Sequence, residues 1–180
     1  LCKAVVKNER YFDEFSIFET AQVFRDENYT SPYDPREKLP SQRKNVAGAF
    51  ATTGKDITAL FRKAKGVVEM MARYVHMETL TFKQAEKPIW ADNVVWLNIY
   101  RGDEKVGDLA LLAKKVSMAC GIKNMNVMLF QLDQDSLVPL KSRTNTFTHL
   151  AEYPMTDYDI SLLVDGSVQW KDVAQTVRGI

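Results

Sequence analysis

The chain has 180 residues, 46% of them hydrophobic and 26% charged, enough for one sizeable core or one core with a small satellite. Twenty-four basic residues against 23 acidic ones leave a net charge of +1, which excludes a bulk field that draws in nucleic acid; such a role would rest on a local patch or a neighbouring domain. No apolar run approaches the roughly 20 residues needed to cross a bilayer, residues 1–10 lack a cleavage-like end, and Cys2 and Cys120 carry no motif. A reduced, cytoplasmic protein is therefore expected, with no membrane partner and with both cysteines in or near the core. The chain starts without Met and stops at Gly179–Ile180, right after a helical pattern, so it reads as a piece of something longer.

Leu1 to Tyr11 places Leu1, Ala4, Val5 and Asn8 on one face of a short helix. Phe15 to Phe24 is rich in Phe, Ile, Thr and Val and predicts a strand. Asp26 to Asn45 holds Pro32, Pro35 and Pro40 among polar residues; three missing backbone donors predict an exposed loop. Val46 to Thr53 then predicts a buried strand.

Asp56 to His76 carries the clearest signal. Ile57, Leu60, Phe61, Ala64, Val67, Val68, Met71 and Val75 recur at helical spacing, with Arg62, Lys63, Lys65, Glu69 and Arg73 opposite. Asp56 can cap this amphipathic helix. Thr79–Lys83 and Val94–Arg101 read as strands, and Gly102 to Lys105 turns the chain into a partner, Val106–Leu111. Leu112 to Cys120 is a short helix closed by Gly121, and Asn126–Asp133 is another strand. Pro139 to Thr146 reads as a linker, Asp159–Asp165 as a strand, and Trp170–Arg178 as a helix with Trp170, Val173, Ala174 and Val177 inward. The order predicts an α+β domain on a mainly antiparallel sheet, residues 1–146, and a second unit from residue 147 to 180.

Most catalytic signatures are missing. The scattered glycines form no phosphate cradle, and a zinc site would need Cys2, His76, Cys120 and His149 without any CxxC or HxxxH spacing. His76 reads as a helix-end cation and His149 as a surface residue. Two carboxylate pairs, Asp133 with Asp135 and Asp157 with Asp159, fall at strand ends, where capping is the commoner use; Asp133 and Asp135 are the pair a small metal-dependent enzyme would use. The basic face Arg62, Lys63, Lys65 and Arg73 suits either a solvated helix surface or a stand-alone RNA-binding domain. Trp90, Trp96 and Trp170 read as core or interface anchors.

Five stretches, in order, resemble the C-terminal part of the bacterial phenylalanine–tRNA ligase beta subunit. They are Ile17-Phe18-Glu19 through Val23-Phe24, Lys65-Gly66 with Val68-Glu69, and Tyr100-Arg101-Gly102 through Val106-Gly107-Asp108-Leu109. They continue with Phe130-Gln131-Leu132-Asp133 followed by Asp135 and Leu137, and with Tyr153-Pro154, Asp159-Ile160 and Leu163-Val164-Asp165.

The resemblance implies a class II synthetase-like antiparallel sheet flanked by helices over residues 1–146, without catalytic activity, and the beginning of a ferredoxin-like anticodon-binding domain over 147–180. It implies a supporting role in charging tRNA(Phe) with phenylalanine. The implied partners are the alpha subunit, other domains of the beta subunit and the tRNA, with no cofactor in this chain and ATP and Mg2+ bound elsewhere in the assembly. Class II chemistry needs an arginine on the strand matched by Phe18-Glu19-Thr20-Ala21 to hold a phosphate, and that strand offers none. Gln134 to Val138 likewise lacks the glycine and arginine of the family's later motif. No catalytic, cofactor-binding or metal residue is expected here, and Lys141, Arg143, Lys171 and Arg178 are the candidate tRNA contacts.

Overall fold

The computed structural model describes residues 1–30, 36, 38–74, 79–137, 147, 149 and 156–178. The chain divides into two units, Leu1–Thr144 and Asn145–Ile180.

The first unit is built on a six-stranded, wholly antiparallel sheet. In chain order its elements are α1 (Cys2–Asn8), β1 (Glu14–Thr30), β2 (Lys38–Thr52), α2 (Ile57–Tyr74), β3 (Thr81–Lys83), β4 (Ala91–Arg101), β5 (Glu104–Leu112), α3 (Lys114–Ala119) and β6 (Asn126–Asp133). The strands lie in the order β1-β2-β6-β5-β4-β3. β6 therefore enters between two hairpins and joins them.

The sheet buries its two faces against different helices. On one face, α2 lays Leu60, Ala64, Val68 and Ala72 over Phe50, Ile99, Leu109, Met128, Phe130 and Leu132. The 3.6-residue period of α2 meets the 2-residue period of the strands there, and that match makes the larger core. Asp56 caps α2 through the Ala59 N–H at 2.9 Å, as its position before the helix predicts. Val67 departs from the expected inward face and is 39% exposed, because it lies at the flank of the stripe. On the other face, α1 and α3 cover Ala49, Ala51, Leu112, Ile122, Met125 and Val127, with Val5 fully buried.

Gly48 is fixed by the first core. A Cβ there would stand 2.2 Å from the Phe130 ring, which packs flat over β2 at that point. Gly102 and Gly121 have φ of +55° and +85°, the left-handed turns expected after β4 and α3.

Two expectations about the hairpin region are corrected. The helix from Leu1 stops at Asn8, whose carbonyl takes the N–H groups of Tyr11 and Phe12. The segment 26–45 is largely strand: β1 continues to Thr30 and β2 starts at Lys38, with a register shift between Arg25 and Asn28. Pro40 is tolerated because β6 pairs with β2 only from Asn45 to Thr52, so one side of β2 is open at Pro40 and needs no donor. Pro32 and Pro35 lie outside the described residues.

The second unit holds α4 (Trp170–Arg178), which follows a turn in which the Asp165 carboxylate accepts the backbone N–H and the hydroxyl of Ser167 at 2.9 and 2.6 Å. These bonds hold the Asp165 carboxyl below its ordinary range. The strand expected at Asp159–Asp165 is not formed: residues 156–165 carry no regular structure. A strand needs a neighbour for its N–H and C=O groups, and none pairs with this segment among the described residues. Trp170 is 78% exposed and Val177 is also exposed, against the inward face expected of them; Val173 and Ala174 are half-buried. The linker at 139–146 lies outside the described residues.

Gly48→Ala should destabilise the first unit by about 1–3 kcal/mol, because the ring of Phe130 must leave its packed position. Urea unfolding of the two proteins measures this, and an unchanged midpoint would mean that the β2–β6 packing is wrong.

Candidate functional site

Cross-strand register divides the face that carries α1 and α3 into an apolar end and a polar end. Ile17, Ala49, Leu129, Ala110 and Trp96 align across five strands, next to the apolar cluster under α1 and α3. Two residues further along each strand the row reads Glu19, Ala47, Gln131, Asp108 and Asn98. Beyond it, Ala21, Asn45 and Asp133 align.

Asp108 is the centre of the polar end. It is 7% exposed and accepts hydrogen bonds from Asn98 Nδ2 at 2.7 Å and from Gln131 Nε2 at 3.3 Å. Lys105 Nζ lies 3.0 Å from the same carboxylate. Asn98 is fully buried and uses its whole amide: its oxygen accepts the N–H groups of Ala85 and Glu86 at 3.0 Å, and its nitrogen also donates to the Glu86 carbonyl at 2.7 Å. This one side chain thus fastens the loop after β3 to the sheet.

Beside Asp108 lies a polar cavity of about 370 Å³, lined by Arg43, Asn45, Lys105, Gln131, Asp133 and Ser136, among others. Among the described residues, the Arg43 guanidinium has no ion-pair partner and the buried Asn45 Oδ1 has no donor. Arg101, at the end of β4, donates to the Ser136 carbonyl at 2.6 Å and to the Glu104 carboxylate at 2.8 Å. Sequence reasoning missed this cavity. Its residues come from β2, β5 and β6 and the chain after β6, and only register brings them together; the alternation of Arg43 with Asn45 and of Gln131 with Asp133 was the available signal.

The other sequence candidates fall as follows. Asp133 Oδ1 accepts the N–H groups of Asp135 and Ser136 at 3.0 and 3.3 Å, and Asp135 Oδ2 accepts the Lys44 N–H at 2.8 Å. The pair therefore closes the turn after β6, and no group of metal-ligating side chains occurs among the described residues. Asp157 and Asp159 are exposed. On α2, Lys63 pairs with Glu14 and Lys65 with Glu69, while Lys65 also lies over the Phe82 ring at 4.5 Å. Lys141, Arg143 and His76 lie outside the described residues, as do the side chains of Lys171 and Arg178 on α4. Exposed His149 stands edge-on to Phe147. Trp90 packs in the apolar cluster under α1, and Trp96 lines a separate apolar groove with Ile57, Phe61 and Val95.

The cysteines depart from expectation. Cys2 is half-buried at the first turn of α1, but Cys120 is exposed at the C-cap of α3. Burial, then the proximity of Cys120, push the Cys2 thiol up.

The fold is that of an aminoacyl-tRNA synthetase-like α+β body. Two solved structures of pyrrolysyl-tRNA synthetase from Desulfitobacterium hafniense share it, with TM-scores of 0.56 and 0.57, 12% sequence identity, and coverage of 76% of this chain and 45% of theirs. Residues 1–134 match the phenylalanyl tRNA synthetase beta chain CLM domain, and the chain belongs to that family. It is also 26% identical over 179 aligned positions to the phenylalanine–tRNA ligase beta subunit of Oceanobacillus iheyensis, covering 93% of this chain and 20% of that protein. The chain thus spans about a fifth of the length of that relative. No described helix is long and apolar enough to cross a membrane.

Asp108→Ala should cost about 2–3 kcal/mol, because it strands buried donors on Asn98 and Gln131. Asp108→Asn, which keeps an acceptor, should cost less. Chemical denaturation of the three proteins checks the order, and equal loss in both variants would contradict the hydrogen-bond assignment.

Proposed function

We propose that the chain is a non-catalytic scaffold of a phenylalanine–tRNA ligase beta subunit, supporting the alpha subunit and tRNA(Phe) during ATP-dependent charging. In this reading the first unit is a class II synthetase-like body whose polar sheet face no longer performs chemistry, and the second unit begins a ferredoxin-like anticodon-binding domain. ATP and Mg2+ bind elsewhere in the assembly. Lys141, Arg143, Lys171 and Arg178 are the candidate contacts to tRNA phosphates.

The charge of the polar cavity carries the reading. Its lining holds two cations, Arg43 and Lys105, against three carboxylates, Glu104, Asp108 and Asp133, a formal balance of −1. Lys105 is held by Asp108, and Glu104 by Arg101. Catalysis on a nucleoside triphosphate needs free cations directed at developing phosphate charge. Here Lys105 and Glu104 are taken up in ion pairs, Arg43 is the one cation of the lining without an ion-pair partner among the described residues, and the net negative charge of the lining disfavours a triphosphate. The same internal pairing of Lys63 and Lys65 weighs against a stand-alone RNA-binding domain, and the turn bonds of Asp133 and Asp135 weigh against a metal enzyme.

The 180-residue chain alone should give no phenylalanine-dependent ATP–pyrophosphate exchange, measured with radiolabelled pyrophosphate. In an assembly with a matching alpha subunit, Arg43→Ala in the beta chain should leave that exchange within about twofold of the unmodified assembly, a difference below ~0.5 kcal/mol. Exchange by the chain alone, or its loss in the Arg43 variant, would overturn the scaffold reading.

A further inference from the structure

We propose that Cys2 and Cys120 are a redox-closing pair, which a small-molecule disulfide of the glutathione class converts into an intramolecular disulfide tying the first turn of α1 to the end of α3. Three observations place the pair for this chemistry. The Cys120 side chain is near enough to act on the Cys2 thiol, although the two come from opposite parts of the unit. The helices that carry them share one apolar cluster: Cys2 and Val6 lie one turn apart on α1, and they pack with Val116 and Ile122 around α3. The seating is held beyond the cysteines too, where Val6 Cγ2 lies 3.9 Å from the place a Gly121 Cβ would take and the Glu9 carboxylate accepts the Lys123 N–H at 3.2 Å. Closure therefore brings together groups that packing already holds side by side.

The difference in exposure sets the order of events. Cys120 is open to solvent and Cys2 is half-buried. The Cys120 thiol loses its proton to water and attacks the small disulfide, forming a mixed disulfide and releasing one small thiol. Cys2, deprotonated in turn, attacks the Cys120 sulfur and expels the second small thiol. Two protein thiols and one small disulfide thus become one protein disulfide and two small thiols, with the small disulfide reduced and the protein pair oxidised. The bond would close a loop that runs through almost the whole first unit, the case in which a cross-link most restricts the unfolded chain.

The test incubates the 180-residue chain with excess oxidised glutathione. Intact mass and a non-reducing peptide map should show both thiols consumed, no glutathione adduct and a peptide joining Cys2 to Cys120, all reversed by dithiothreitol. The oxidised chain should melt higher than the reduced one by about 5 °C or more. Cys2→Ser removes the resolving thiol and should stop the reaction at a stable glutathione adduct on Cys120. Two free thiols after oxidation, lasting adducts on both cysteines of the unmodified chain, or disulfides only between chains would each overturn the proposal.

Discussion

A buried carboxylate in the middle of a sheet must be surrounded by donors, and Asp108 meets that demand with groups from three directions. Asn98 reaches it from β4, Gln131 from β6, and Lys105 from its own strand. Because Asn98 also takes the backbone of Ala85 and Glu86, the same network sets where the chain travels after β3. The cost of burying the charge is offset only while all of these partners hold their places, so the network fixes strand register as strictly as the apolar core does. A slip of one residue between β5 and β6 would bring Asp108 opposite an apolar side chain and send Leu109 to the polar face.

The two ends of that face do different work. Toward α1 and α3, small residues on β2, Ala49 and Ala51, let the helices approach closely and build a dry second core. Toward the cavity the strands carry amides, carboxylates and Arg43, and no described helix covers them. The open end of this face therefore carries polar groups that bond largely to one another.

Much of the architecture was legible because it is written in local patterns. The stripe from Ile57 to Met71, the cap at Asp56, and the glycines at 102 and 121 each report on their own few residues, and α2, the β4–β5 turn and the end of α3 stand where they imply. The length of the β1–β2 hairpin was hidden by prolines that suggest a loop, since the permission for Pro40 comes from the short reach of β6, a fact of topology. The family resemblance rested on residues spread along the chain, and the match over residues 1–134 agrees with it. The polar cavity and the cysteine pair were not legible, because each depends on contacts between distant parts of the chain that neither spacing nor composition encodes. The segment 159–165 shows the opposite error: a β-like composition is only a preference, and without a pairing partner it produced no strand.

The unequal strand lengths also have a mechanical side. β2 keeps its bonds to the β6 segment as far as Lys44, which bonds with Gln134 and Asp135, and from there outward, among the described residues, it is joined to β1 alone. The stretch from Lys38 to Arg43 is about 20 Å of two-stranded ribbon anchored at one end to the rigid sheet. Such a ribbon coils more strongly than a broad sheet and acts as a cantilever. A load applied along it is felt as torque at the Lys44–Asp135 clamp, next to Arg43, through which the arm lines the polar cavity.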